Sequence, residues 1–120
     1  MYIEPDINDQ IISWYGREEA VSDGVLIDVS DTAQKAGIIY PVAITKTIWE
    51  RYINFSDKDD RLWNLLWEFR VKALHNQTDQ LSFNMSFEVG GRKELVMIWA
   101  ICSPGDLLEP VITIMLPEDY

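Results

Sequence analysis

The chain has 120 residues, of which 48% are apolar and 25% charged, and this composition is typical of one globular domain. Its longest apolar run, ELVMIWAIC, is far shorter than the roughly 18 residues that a membrane-spanning helix needs. The opening MYIEPDINDQ lacks the basic and apolar regions of a secretory signal, and a single cysteine excludes an internal disulfide. We therefore expect one cytoplasmic domain, residues 1–120, with no membrane partner.

The net charge of −10 is concentrated at the two ends of the chain. Residues 1–31 carry eight acids and one base, and residues 75–120 carry seven acids and two bases. Contacts to phosphate need a basic surface, so direct binding to nucleic acid is disfavoured. The same negative field favours a basic protein partner. The alternative interpretation is that the charge only keeps the protein soluble.

The sequence of the first half of the chain predicts short helices and a short strand. Residues 1–15 have apolar side chains without a sustained period, which suits an extended arm or a short strand. Gly24 and Gly37 are typical helix stops, and Thr45 is a typical N-cap. A helical turn, a strand and two further short helices are therefore predicted, in this order, over REEAVSDG, VLIDV, SDTAQKAG and TKTIWERYI.

A long helix is predicted over about 57–75, with Ser56 or Asp57 as its N-cap and an acidic residue three positions later as the second half of a capping box. Acids crowd its first turn and bases its last turns, as the helix dipole favours. Its middle, RLWNLLWEFR, has almost no polar face. Something must therefore cover a second side of this helix.

Two interpretations of that second side are open. In the first, Trp63, Leu66 and Trp67 pack with Phe69 on one face of a sheet in the same chain. In the second, Trp63 and Trp67 form an apolar interface with a partner or with a second copy in a homodimer, because tryptophan is enriched at interface hot spots. Internal burial is the leading expectation.

The last third of the chain predicts a β-meander. SFNMSFEV alternates with Phe83, Met85, Phe87 and Val89 on one face, and ELVMIWAIC is apolar on both faces, as in a central strand. PVITIML forms a third strand, and VLIDV is available as a fourth. The predicted fold class is therefore α+β: a small three- to four-stranded antiparallel sheet, its C-terminal meander packed against several helices.

The sequence carries no catalytic, cofactor-binding or metal-binding signature. One histidine, His75, and one cysteine, Cys102, cannot make a closed zinc site, and DKDD lacks the spacing of a calcium loop. His75 suits a helix C-terminus, and Cys102 lies in an apolar run typical of an inert thiol. We therefore expect a protein that is not an enzyme; a small enzyme built from scattered acids and His75 is a minor alternative.

Two acidic segments of the C-terminal third are candidates for a docking surface. The loop SPGDLLEP joins two predicted strands, and the tail PEDY ends the chain. Carboxylates spaced like phosphates can occupy a nucleic-acid groove on another protein. The predicted partner-binding residues, taken from both acidic ends of the chain, are Glu18, Glu19, Asp23, Asp106, Glu109, Glu118 and Asp119.

Three stretches together carry a resemblance: DGVLIDVSDTAQKAGIIYPVAITKTIW, RLWNLLWEFR and PGDLLEPVITIMLPED. In this order they resemble an uncharacterised family of short bacterial proteins, often encoded on plasmids, phages and other mobile elements. The resemblance implies a single small cytoplasmic domain and supplies no activity, cofactor or catalytic residue.

The mobile-element origin of the resembled family suggests two functional hypotheses, and it does so by analogy alone. Small acidic proteins of mobile elements are often inhibitors of host defence nucleases. The first hypothesis is a non-catalytic acidic binding protein that engages and inhibits a basic nucleic-acid-handling protein, of the anti-CRISPR or anti-restriction type. The alternative is an accessory or regulatory protein that acts through oligomerisation or other protein contacts, without nucleic-acid mimicry.

Overall fold

Five strands form one mixed sheet in the computed structural model, which describes residues 16–76 and 78–120. The predicted arm over 1–15 lies outside these residues. The strands are β1 (Leu26–Asp28), β2 (Val42–Thr45), β3 (Gln80–Val89), β4 (Arg92–Pro104) and β5 (Pro110–Met115). Their order across the sheet is β1-β2-β5-β4-β3. All neighbours are antiparallel except β2 and β5, which are parallel.

Four helices accompany the sheet in the described part of the chain, so the α+β class is confirmed. They are α1 (Arg17–Ser22), α2 (Ser30–Lys35), α3 (Lys46–Ile48) and α4 (Lys58–His75). The chain continues from α3 directly into a π-helical turn, Trp49–Ile53, and a 3₁₀ turn, Pro117–Asp119, follows β5. The Thr45 hydroxyl accepts a hydrogen bond from the Ile48 N–H (3.4 Å), which confirms the predicted cap of α3.

The predicted C-terminal meander is confirmed. Phe83 and Phe87 of β3 point inward with Val96 and Ile98 of β4, as the period-two pattern predicts. The hairpin between β3 and β4 turns at Gly90 and Gly91, whose φ angles of 59° and 78° favour glycine. Only the second half of β4, residues 99–104, pairs with β5. The first half therefore projects beyond the rest of the sheet as a two-stranded ribbon.

The prediction of a three- to four-stranded antiparallel sheet is wrong in strand number and in one pairing. The strand that it lacks is β2, four residues placed between Pro41 and the start of α3. Val42, Ala43 and Ile44 are all fully buried, so they show no alternation that would predict a strand. β2 joins β1 to β5, and it makes the sheet mixed because it runs parallel to β5.

The core lies between one face of the sheet and the helices. The buried side of α4 consists of Leu62, Leu65, Leu66 and Phe69, the i, i+3, i+4, i+7 spacing of one helical face. These side chains pack in one cluster with Ile44, Ile98 and Ile114 of the sheet and with Ile48 and Ile53 before α4. Asp57 precedes α4 as predicted, but its carboxylate pairs with Arg61 (2.7 Å) instead of a backbone N–H, so the predicted capping box is wrong.

The second face of the sheet is covered only in part by the described residues, and we call its β4 residues Leu95, Met97, Trp99 and Ile101 the open face. Leu95 is 70% exposed and Met97 49% exposed. Trp99 is half-buried, and its ring and that of Tyr120 pack in a T-shaped arrangement with centroids 5.9 Å apart. The two apolar faces of ELVMIWAIC predict a central strand, which is normally covered on both sides, but Leu95 and Met97 are exposed.

Candidate protein-binding surface

The two acidic ends of the chain meet at the start of α1. Asp106, in the loop between β4 and β5, accepts hydrogen bonds from the backbone N–H groups of Arg17 (2.8 Å) and Glu18 (3.0 Å). These N–H groups begin α1 and have no partner within the helix, so Asp106 caps α1 from a position 88 to 89 residues away. We call the carboxylates gathered here, Glu18, Glu19, Asp106 and Glu109, the acidic corner.

Arg17 is the one base inside the acidic corner. Its guanidinium extends over β5, where Nη1 donates to the Thr113 hydroxyl (2.8 Å) and Nη2 to the Ile112 carbonyl (2.6 Å). Burial lowers the pKa of Arg17, while the charges of Asp28, Asp106 and Glu109 act in the opposite direction. One guanidinium cannot balance these carboxylates, so the corner keeps a net negative charge.

The loop between β4 and β5 presents two leucines beside these acids. The Glu109 carboxylate accepts from the Leu107 N–H (2.9 Å), and the Gly105 N–H donates to the Glu109 carbonyl (2.6 Å). This closed turn leaves Leu107 88% exposed and Leu108 81% exposed. Leu108 has a φ of 66°, a left-handed conformation that is strained for a leucine. The loop therefore combines exposed apolar side chains with carboxylates.

The remaining predicted partner-binding residues lie elsewhere. Asp119 accepts from the Thr45 hydroxyl (2.8 Å) and the Leu116 N–H (3.0 Å), and Glu118 pairs with Arg51 (3.1 Å). Both follow β5, whereas Asp106 precedes it, so a six-residue strand of about 20 Å separates the two groups. Asp23 follows α1 as its C-cap residue. The seven predicted residues therefore do not form one cluster.

Asp106 should make folding stability depend on acid pH. The two backbone N–H groups that its carboxylate accepts from hold the pKa of Asp106 below its ordinary value of 3.8. A lowered folded-state pKa gives stability that is complete above the unfolded value and is lost as the pH falls through the folded value. We expect wild type to be more stable than Asp106→Asn by a constant margin from pH 7 to about pH 5, and the margin to shrink below about pH 4.

Urea unfolding of both proteins between pH 7 and pH 2.5 measures this margin. Glu94→Asn, which removes an exposed carboxylate of the projecting ribbon, is the matched control and should follow wild type across the range. A margin between wild type and Asp106→Asn that stays constant down to pH 2.5 would contradict the role of the charged carboxylate as the cap of α1.

Trp63 and Trp67 lie on the outer side of α4, so the expectation that they pack on the sheet is wrong, whereas it is confirmed that Leu66 and Phe69 are buried. Trp63 is 39% exposed and Trp67 44% exposed. Their rings stack on each other, with centroids 6.1 Å apart and planes 13° apart. Their binding to a partner stays a prediction.

Similarity to known proteins gives the family of this chain. The model of a family of unknown function, DUF6573, matches residues 7–120. The chain belongs to this family. No curated protein and no solved structure is significantly similar to it. The resemblance to an uncharacterised family is thereby confirmed, and membership of DUF6573 brings no activity with it.

The single histidine and the single cysteine of this DUF6573 member lie on separate elements, α4 and β4. His75 is the last residue of α4, as predicted, and Cys102 is half-buried against the core. Among residues 16–76 and 78–120, no group of three or more His, Cys, Asp or Glu side chains is arranged to hold a metal ion. No helix in the same ranges is long and apolar enough to cross a membrane.

Proposed function

We propose that this DUF6573 protein is a cytoplasmic, non-catalytic acidic binding protein of a mobile genetic element, which engages a basic nucleic-acid-handling protein and inhibits it, in the manner of anti-CRISPR or anti-restriction proteins. The observation that supports the proposal is the hydrogen bonding of Asp106 to the start of α1. It gathers acids from both ends of the chain into one corner. A basic partner would meet several carboxylates at once.

The acidic corner is suited to attract a cationic surface. Glu18 and Glu19 are exposed on the first turn of α1, and Asp106 is fixed beside them. Fixed carboxylates raise the rate of encounter with a positive surface, and they occupy it in place of phosphate groups. Leu107 and Leu108 at the same loop supply apolar contact area, which a charged rim alone does not provide.

The test is a pull-down from the host lysate at low and at high salt, followed by affinity measurement on the recovered protein. We expect a basic nucleic-acid-binding protein, such as a nuclease, that is released as salt rises, because screening weakens contacts between exposed charges. Reversing Glu18 and Glu19 to lysine should weaken its binding by about tenfold or more and flatten the salt dependence. The nuclease activity of the partner should fall when wild type is added.

The matched control reverses two acids elsewhere. Glu88→Lys with Glu94→Lys makes the same change in net charge, but both residues lie on the ribbon formed by β3 and β4. This control should bind almost as wild type does. If both double variants lose affinity equally, binding depends on net charge alone and not on the acidic corner. If the partner is basic but its activity is unchanged, the inhibitory part of the proposal is wrong.

The second candidate function is an accessory or regulatory role through oligomerisation. It is favoured by the exposure of Leu95 and Met97 on the open face. Among the described strands, β3 also lies at the edge of the sheet, and its ten residues, QLSFNMSFEV, contain no lysine or proline of the kind that usually protects an edge strand. Recovery of the chain alone, or of a partner whose binding is insensitive to salt, would support this function over the first.

A further inference from the structure

A ladder of stacked groups runs along the outer side of α4. The ring of Trp67 has the ring of Trp63 as one neighbour, at 6.1 Å, and the guanidinium carbon of Arg70 as another, 5.2 Å from its centroid. Arg70 also packs closely on Gly37 in the loop after α2, since its Nε lies 2.8 Å from where a Cβ on Gly37 would be. The chain itself therefore shows that this surface accepts a guanidinium on a tryptophan ring.

Trp63 is the open end of this ladder. It is 39% exposed, and within the described ranges no other ring or guanidinium stacks on it besides Trp67. Side chains of an α-helix lean toward its N-terminus, so the ring of Trp63 leans away from Trp67, toward the first turn of α4. A flat cation could therefore continue the ladder at Trp63.

The first turn of α4 supplies carboxylates at that point. At about 100° per residue, Asp59 and Asp60 lie about 40° and 60° to either side of Trp63. Both are exposed, and neither has an ion pair within the described residues, unlike Asp57, which pairs with Arg61. A guanidinium stacked on the Trp63 ring would have its N–H edge free to donate to these carboxylates.

We propose that Trp63, Asp59 and Asp60 bind an arginine side chain from an exposed segment of a partner protein. Arginine fits better than lysine, because a guanidinium stacks by its face and donates by its edge at the same time, whereas an ammonium is a compact, strongly hydrated charge. The inference goes beyond the proposed function, since α4 covers the core side of the sheet and Arg17 anchors the acidic corner on the opposite side.

The test compares octa-arginine with octa-lysine, which carry the same charge, by isothermal titration at low salt. We expect wild type to bind octa-arginine about two- to fivefold more tightly, the range of one stacked cation at an exposed site. Trp63→Leu should bring the two affinities together, and Asp59→Asn with Asp60→Asn should reduce the preference. Trp99→Leu, a tryptophan of the open face, is the matched control and should keep it.

The arginine site at Trp63 can also be tested by NMR, and several results would overturn it. In wild type, the indole N–H signal of Trp63 should shift in the NMR spectrum with octa-arginine and move little with octa-lysine. Equal affinities of wild type for the two peptides, or a preference that survives in folded Trp63→Leu, overturns the arginine site and leaves the acidic corner untouched. A preference lost equally in Trp99→Leu overturns it as well. If Glu18→Lys with Glu19→Lys weakens both peptides alike and keeps their ratio, the two surfaces act separately.

Discussion

Leu66→Ala should lower the free energy of unfolding by about 3–5 kcal/mol, whereas Trp63→Ala, three residues earlier on the same helix, should lower it by only about 1 kcal/mol. Leu66 has no exposed surface and lies in the core cluster, so its removal leaves a cavity that the surrounding side chains fill poorly. Truncation of Trp63 removes little more than the stacking of its ring on Trp67, because much of the Trp63 side chain already faces solvent.

Urea unfolding followed by far-ultraviolet circular dichroism measures both changes, with the slope m checked for two-state behaviour. Leu65→Ala, which is equally buried on α4, should repeat the loss seen for Leu66→Ala. Asn64→Ala, an exposed neighbour, should leave the free energy of unfolding within about 0.5 kcal/mol of wild type. A loss for Trp63→Ala as large as that for Leu66→Ala would place Trp63 in the core.

The elements with a regular pattern could be predicted from the sequence. The alternation of Phe83 and Phe87 indicates β3 and its inward face, and the acids and bases at the two ends of α4 mark its bounds. β2 could not be predicted, since all but the last of its four residues are buried and Pro41 directly precedes it. Its place between β1 and β5 depends on pairing across about 70 residues, which no local pattern encodes.

The orientation of α4 shows a different limit of the sequence. Apolar residues occupy most sides of the helix formed by RLWNLLWEFR. The pattern therefore predicts that the helix is buried, but it does not indicate which residues face outward. Hydrophobicity favours burying Trp63 and Trp67 as strongly as Leu65 and Leu66. The structure buries the side with Leu65 and Leu66, and it leaves the two tryptophan rings partly exposed and stacked on each other. The sequence pattern therefore does not indicate which side of α4 faces the core.

The acidic residues of the candidate site could be predicted from the sequence, but the contact that brings them together could not. The sequence predicts the two acidic ends of the chain as docking segments, and it includes Glu18 and Asp106 among the partner-binding residues. It does not show that Asp106 caps α1, because that contact joins residues 88 to 89 positions apart. The role of Arg17 was missed as well. The available signal was its position as the one base among the eight acids of residues 1–31.

Phe87→Ala should lower the free energy of unfolding by about 3–5 kcal/mol and loosen the ribbon formed by β3 and the first half of β4. Phe87 is 4% exposed, and its ring stacks on Tyr52 with centroids 5.0 Å apart. This half of β4 has no β5 neighbour, so the stack on the π-helical turn helps to attach the ribbon to the helices. Urea unfolding measures the loss, and native-state hydrogen exchange at the ribbon amides measures the loosening.

The matched control is Leu95→Ala, on the opposite face of the same ribbon. Leu95 is 70% exposed, so its truncation should change the free energy of unfolding by no more than about 0.5 kcal/mol. A double-mutant cycle with Tyr52→Leu and Phe87→Leu should give a coupling of about 0.5–1.5 kcal/mol for the aromatic pair. If Leu95→Ala destabilises the protein as much as Phe87→Ala, the open face is covered in solution, which is the result expected if the chain self-associates through it.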